Sequence, residues 1–145
     1  MNKQIPAVLA GLILLMGCSG TRPDLGVNNG ELVPCPESPN CVNSQAADEE
    51  HAIEPLHFTG TGQQAHVRLV QILASEKRTN ILTAEKNYIR AEFTSAVFRF
   101  VDDVEFYFPD DPGGGTIIHV RSASRIGHSD LGVNRKRIER IRNKF

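Results

Sequence analysis

The sequence contains 145 residues, of which 40% are hydrophobic and 23% are charged, and its formal net charge at pH 7 is −1. This composition is that of an ordinary globular protein, and the length suffices for one domain with its own core but excludes two. The charge is uneven, because residues 121–145 carry +6 and the first 120 residues carry −7. We therefore expect the basic C-terminal segment to dock on the acidic remainder of the chain.

The N-terminus has the pattern of an export signal. Lys3 gives a positive start, residues 7–16 form an apolar run, and small residues follow that run. Such a run is too short for a permanent membrane-spanning helix and has the proportions of a signal-peptide core. Residues 1–17 are therefore predicted to be a signal peptide that directs the protein to the cell envelope.

The signal core ends in Leu15, Met16, Gly17 and Cys18, and these four residues resemble the bacterial lipobox. The resemblance implies cleavage before Cys18 and attachment of lipid to its thiol, and the buried acyl chains would hold the protein on a membrane. The alternative is a lone cysteine at the end of an ordinary signal or an uncleaved anchor. In the lipoproteins of enteric type that these residues resemble, an aspartate after the cysteine favours the inner membrane. Ser19 stands at this position, so the resemblance implies the periplasmic face of the outer membrane.

A flexible segment and a disulfide are predicted next. Residues 18–30 are rich in glycine and asparagine and lack an apolar period, which predicts a tether between the lipid and the domain. Cys35 and Cys41 follow in a proline-rich turn, and their proximity predicts a disulfide in an oxidising compartment. An alternative adds His51 and His57 to form a zinc site, but the cysteine spacing is wider than zinc sites usually show. The sequence thus predicts no metal and no cofactor.

Two helices are predicted from apolar side chains at helical spacing. The first covers residues 64–77. The second begins near Leu131 and is strongly basic, with apolar residues at i, i+3 and i+7. Asp130 is suited to cap its first turn, and Asn134 would serve a shorter helix equally well.

Between the helices the period of the pattern changes to two, which is typical of half-buried strands. The four predicted strands cover residues 80–85, 88–96, 102–108 and 116–122. Their short connections, including a turn rich in proline and glycine, predict an antiparallel meander. The sequence therefore predicts an α+β domain over residues 31–145. It has about four antiparallel strands, one helix before the sheet, and the basic C-terminal helix packed on the sheet.

Three motifs stand in order along the chain: LVPCPESPNCVNS, then DDVEF, then VRSASRIGHSDLGVNRKRIERI. Together they resemble the family catalogued as domain of unknown function 1499, over roughly residues 31–141. The resemblance implies a single domain found in bacterial envelopes and plastids, and it implies no reaction. The family signature falls on Cys35, Pro36, Pro39, Asn40, Cys41, Asp102, Asp103, Glu105, Arg121, Ser122, Ser124, Arg125, Gly127, Asp130, Gly132, Asn134, Arg135 and Arg137.

The acidic and basic residues of these motifs are expected to meet near one edge of the sheet. Asp102, Asp103 and Glu105 begin one strand, and Arg121 ends its predicted neighbour. Because arginine pairs well with carboxylates, we interpret them as a polar lock that holds residues 122–130 against the sheet. The remaining members of this predicted lock are Ser124, Arg125, Asp130, Asn134, Arg135 and Arg137.

Two alternatives use the same segment. In the first, Arg125, Arg135 and Arg137 bind an anionic lipid, a glycan or an envelope protein. Nucleic acid is not expected, because the basic segment lacks interleaved aromatic residues and the chain is exported. In the second, the chain is a periplasmic hydrolase in which His128 activates a serine of the segment Ser122 to Asp130. No G-x-S-x-G motif supports that reaction, so we expect a non-catalytic structural or binding module.

Overall fold

The computed structural model describes residues 20–110 and 115–145, so the predicted signal peptide and Cys18 lie outside the described residues. The elements follow one another along the chain as two short strands, two further strands, a helix, four longer strands and a second helix. In chain order they are β1 (Val27–Asn28), β2 (Glu31–Leu32), β3 (Cys41–Asn43), β4 (Leu56–Phe58), α1 (Gly62–Ser75), β5 (Thr79–Glu85), β6 (Tyr88–Thr94), β7 (Val101–Tyr107), β8 (Thr116–Ser124) and α2 (Val133–Lys144).

The main sheet is antiparallel and contains the four predicted strands as β5 to β8. Its order is β3, β8, β7, β6, β5, and β4 pairs with the beginning of β8. The α+β class is therefore confirmed, but the sheet has six strands rather than about four. The two additional strands are three residues long, which is too short for an alternating pattern to be recognised in the sequence.

Residues 20–30 differ from the tether predicted for them. β1 pairs with β2 in a small hairpin, and the carbonyl oxygen of Pro23 accepts a hydrogen bond of 3.0 Å from Arg90 on β6. Gly20 packs so closely on the end of β8 that a Cβ atom there would lie 2.9 Å from the Cβ of Arg125. This part of the chain therefore packs on the domain.

Side-chain caps and residues with positive φ determine where the helices begin and end. Thr61 and Gln64 form a capping box at the start of α1, two residues earlier than predicted. The helix ends before Lys77, and Arg78 takes a positive φ of 56° at the turn into β5. The second helix begins at Val133 rather than near Leu131, because Leu131 and the glycine after it both have positive φ.

The hydrophobic core lies between one face of the sheet and the two helices. Alternate residues of β6, β7 and β8 point into it, and α1 contributes the apolar stripe that its sequence predicts. From α2, Ile138 and Ile141 are fully buried in the same core. Because successive side chains of a strand point to opposite faces, every second residue of the central strands is directed to the other side of the sheet.

Candidate functional site

The second face of the sheet carries a buried group of charged side chains, which we call the outer-face cluster. Its members are Arg90, Glu92, Asp103, Glu105, Arg121 and Arg125. Glu105 on β7 lies directly opposite Arg90 on β6 and Arg121 on β8, so acidic and basic residues alternate across three strands. Favourable cross-strand pairs of this kind stabilise a sheet.

Asp103 is the centre of the outer-face cluster. Its side chain is only 1% exposed, and its two oxygens accept hydrogen bonds from Arg125 at 2.6 and 2.9 Å and from Arg90 at 2.8 Å. Arg125 also donates to Glu92, which pairs with the exposed Arg22 at 2.8 Å. The negative charge of this buried carboxylate is therefore balanced from both sides.

Burial and pairing together shift the pKa values of the two outer-face acids of β7, Asp103 and Glu105, in opposite directions. Burial raises the pKa of Asp103, but the hydrogen bonds and charges of Arg125 and Arg90 outweigh that effect and hold it below its usual range. Burial also raises the pKa of Glu105, and there the hydrogen bond from Tyr88 and the charge of Arg121 do not offset the shift. Two carboxyl groups on one face of one strand thus differ in how firmly they hold a proton.

The outer-face cluster is covered by the N-terminal residues of the described chain. Pro23 and Arg22 contact β6 as described above, and Gly30 approaches the hydroxyl group of Tyr107. Strand β2 adjoins β8, and its Leu32 is buried. These contacts explain why Glu105 is fully buried although it lies on the face opposite the helices.

A second polar group lies on the core face, where β7 and β8 meet the first turn of α2. We call it the helix-start cluster, and its members are Asn40, Asp102, Ser122, Ser124, Asp130, Asn134 and Arg137. Arg137 donates to the carboxylate of Asp102, and its guanidinium carbon lies 4.8 Å from the ring centroid of Phe93. Burial lowers the pKa of Arg137, while the charge of Asp102 acts in the opposite direction.

Asn134 connects the members of the helix-start cluster. It is fully buried, and its amide nitrogen donates to Ser124, Asp130 and the carbonyl oxygen of Asn40. Its amide oxygen accepts from Ser122 and Arg137. Asp130 also accepts the backbone N–H of Asn134 at 2.7 Å, so it satisfies a free amide of the first turn although Gly132 occupies the N-cap position.

The predicted lock residues thus divide between two sites. Asp102 and Asp103 are adjacent on a strand and therefore point to opposite faces, where they meet Arg137 and Arg125 respectively. Both groups lie on the central strands β7 and β8, whereas the sequence predicted one group near an edge. Arg135 joins neither, because it donates to the backbone carbonyl oxygens of Ala52 and Glu50.

The residues of the alternative hydrolase interpretation contact different partners. Ser122 is fully buried and donates to Asn134, and Asp130 binds the start of α2. His128 is exposed, and in the described ranges no hydrogen bond joins it to a serine or to Asp130. The geometry of this segment therefore provides no nucleophile with an adjacent base.

Cys35 and Cys41 form a disulfide, as predicted. Of the two histidines of the alternative zinc site, His51 contacts the disulfide loop, since its Nε2 lies 3.2 Å from the carbonyl oxygen of Ser38. His51 bonds to Asp48 at 2.7 Å, and His57 is exposed on β4. Within residues 20–110 and 115–145, no group of histidine, cysteine, aspartate and glutamate side chains could hold a metal ion.

Comparison at the level of families matches residues 31–145 to the family described as "Protein of unknown function (DUF1499)". The chain belongs to this family. The match begins at β2 and extends to the end of the chain, so the DUF1499 region includes both polar clusters. No curated protein and no solved structure matched the chain significantly. In the part of this DUF1499 chain that the structure describes, neither helix is long and apolar enough to cross a membrane.

Several functional contacts were not foreseen from the sequence. Arg90 and Glu92 lie two residues apart on β6, and the alternating pattern predicts that they share a polar face. The sequence does not indicate that this face is buried. The register between β6 and β7 places Glu92 opposite Asp103, and it thereby brings both residues into the outer-face cluster. The backbone acceptors of Pro23 and Ala52 carry no signal in the sequence, because any residue type has a carbonyl group.

Stability is expected to decrease in acid, and Asp103→Asn should weaken that dependence. A carboxyl group whose folded pKa is lowered stabilises the protein above its unfolded pKa, about 3.9 for aspartate, and loses this contribution as the pH falls through the folded value. Burial raises the pKa of Glu92 and Glu76 as well, but their arginine and lysine partners lower it below the usual value, as at Asp103. Urea unfolding measured from about pH 7 to pH 3 would determine the slope.

Glu105→Gln is the matched control for this experiment. Its raised pKa stabilises the protein below about pH 4.3 and loses that contribution as the pH rises through the folded value. The variant should therefore lose more stability in acid than the wild type does, whereas Asp103→Asn should lose less. If the free energy of unfolding depended on pH equally in the two variants, this would contradict the opposite pKa shifts of Asp103 and Glu105.

Proposed function

We propose that this protein is a lipid-anchored envelope protein, attached through Cys18 to the periplasmic face of the outer membrane. Its domain acts without catalysis, as a structural module that holds a fixed surface at the membrane. The proposal of an anchor rests on the lipobox-like residues that end the signal core. The proposal of a structural role rests on the contacts that the charged residues of the three motifs make within the chain.

One observation carries the structural role: the arginines of the basic segment that could hold an anion already have acceptors in the same chain. Arg121, Arg125 and Arg137 pair with buried carboxylates, and Arg135 with backbone carbonyls. A phosphate or carboxylate from outside would have to displace these contacts. The geometry therefore supports a polar lock better than an anion-binding site.

The anchor is tested by labelling cells with an alkyne analogue of palmitate and separating the envelope membranes on a sucrose gradient. The wild type should incorporate the label and sediment with the outer membrane, and Cys18→Ser should do neither. Cys35→Ser is the matched control, because it removes a cysteine of the disulfide and should retain the label. An unlabelled wild-type protein would overturn the proposal.

A further inference from the structure

The connection between β6 and β7 exposes aromatic side chains to solvent. Val97 is 78% exposed, Phe98 68% and Phe100 43%, and the two rings stack with their centroids 5.4 Å apart. We call residues 96–100 the aromatic tip. Single exposed apolar residues are common, but three in five consecutive positions form a patch that is typical of an interaction site.

The aromatic tip has a defined shape. The backbone N–H of Ser95 donates to the carbonyl oxygen of Phe100 at 2.8 Å, and the hydroxyl group of Ser95 accepts from the N–H of Phe100 at 2.9 Å. Arg99 completes the turn with a φ of 59°. The rings are therefore presented on a closed hairpin, with little ordering required on binding.

The first described residue of the chain lies at the same end of the sheet. Gly20 packs on Arg125 and Ile126, and the N–H of Arg125 donates to the carbonyl oxygen of Val101, the residue directly after the tip. Covalent geometry limits the distance between the Cα atoms of residues i and i+2, such as Cys18 and Gly20, to about 7 Å. Attachment of a lipid at Cys18 would therefore place the anchor near Gly20, at the end of the sheet that carries the aromatic tip.

The charges at this end suit an anionic membrane surface. Arg99 lies within the tip, and Lys77 and Arg78 are exposed in the neighbouring turn. Arg78 is joined to the base of the tip, because its side chain donates to the carbonyl oxygen of Thr94 at 3.1 Å. Aromatic rings flanked by basic side chains are the composition that binds in the interfacial region of bilayers.

We propose that the aromatic tip inserts into the interfacial region of the bilayer that holds the lipid anchor, so that two contacts fix the orientation of the domain on the membrane. This inference rests on the proposed lipidation of Cys18. In this orientation the turn between β5 and β6, at the other end of the sheet, points away from the membrane. The two ends are separated by about 20 Å, the length of a seven-residue strand.

The test uses the absence of tryptophan from the sequence. In the full lipidated chain, Phe98→Trp places a single tryptophan in the tip, and Val67→Trp places one on α1. Val67 is a matched control because it is apolar, 50% exposed, and lines the same surface pocket as Lys86, which lies at the opposite end of the sheet. Each protein is reconstituted into phosphatidylethanolamine and phosphatidylglycerol vesicles, with or without a phosphatidylcholine brominated near the start of one acyl chain.

The bromine should reduce the emission of the tip variant by about twofold, because interfacial side chains reach 5 to 10 Å into the headgroup and acyl boundary, and it should leave the control unchanged. Val97→Trp provides a second tip probe, and circular dichroism melting checks that each variant folds. Equal emission with and without bromine would overturn the inference. If aqueous iodide also fails to quench a tip that is insensitive to bromine, the tip faces protein, such as a second copy of the chain, and the inference is overturned.

Flotation of the same vesicles separates this inference from the proposal on which it rests. Protein that floats and shows bromine quenching supports both. Protein that floats without quenching retains the anchor and overturns the tip contact. Protein that does not float overturns the lipidation, and the inference fails with it.

Discussion

Replacing Arg137 by alanine is expected to lower the free energy of unfolding by about 3 to 5 kcal/mol, because it leaves a buried carboxylate without its partner. The Asp102 side chain is 11% exposed, and Arg137 is the arginine that donates to it. The same substitution removes donors to Ser122 and Asn134 and the contact with Phe93. Urea unfolding followed by circular dichroism measures the change.

Arg140→Ala is the matched control, since it removes an arginine one turn later on the same helix. Arg140 is 48% exposed and pairs with Glu76 at 3.1 Å. Pairs of this kind contribute about 0 to 1 kcal/mol, because water screens the charges and the side chain loses freedom when it pairs. Equal losses in the two variants would contradict the distinction between buried and exposed charge that underlies the proposed structural role.

A double replacement separates the charge from the packing. The double variant Asp102→Leu and Arg137→Met removes both charges and retains much of the side-chain volume. Removing a buried ion pair as a unit is often neutral or stabilising. If the double variant is far more stable than Arg137→Ala, then the cost of the single change arises from the unpaired carboxylate.

The sequence identified the elements whose pattern spans several residues. Helix α1 and strands β5 to β8 were predicted within a few residues, because burial of one face repeats a period several times along each of them. Strands β3 and β4 were missed because three residues show no period. The start of α2 was misplaced because the chain turns through Leu131 and Gly132 before the helix begins, and Leu131 takes a conformation that its side chain disfavours.

The charged motifs could be predicted as a group but not as two sites. Alternation along β7 implies that Asp102 and Asp103 point to opposite faces of the sheet. The same alternation means that one acid meets α2 while the other meets β6. Which arginine belongs to which acid depends on strand register and on the path of residues 20–32, and neither follows from local sequence.

Burial of the second face explains why the charges on its central strands are paired with one another. An antiparallel sheet with helices on one side usually leaves its other side in water, where polar side chains are hydrated and need no partner in the protein. Here residues 20–32 cover that side, so its charges must be paired. The face that would otherwise be exposed thus binds the N-terminal segment of the chain through Arg90 and Glu92. The position of residues 20–32 and the pairing of the charges are therefore one structural feature.

Replacing Arg125 by alanine is expected to lower the free energy of unfolding by about 3 kcal/mol, near the low end for a broken buried pair, because Arg90 continues to pair with Asp103. Alanine retains the Cβ atom on which Gly20 packs, so the variant removes charge without removing that contact. Hydrogen exchange should accelerate in residues 20–26 and at the end of β8. The amides of α2 should exchange more slowly than in Arg137→Ala, since the helix-start cluster remains intact.

Arg22→Ala is the control for this last experiment, because Arg22 and Arg125 donate to the same oxygen of Glu92 and differ in burial. The side chain of Arg22 is 58% exposed and that of Arg125 is 6% exposed, so losing Arg22 should cost at most about 1 kcal/mol. If both variants release residues 20–26 equally without a large loss of global stability, the buried charges do not hold the N-terminal segment. Release by Arg125→Ala alone would show that the outer-face cluster fixes the segment that leads to the proposed anchor.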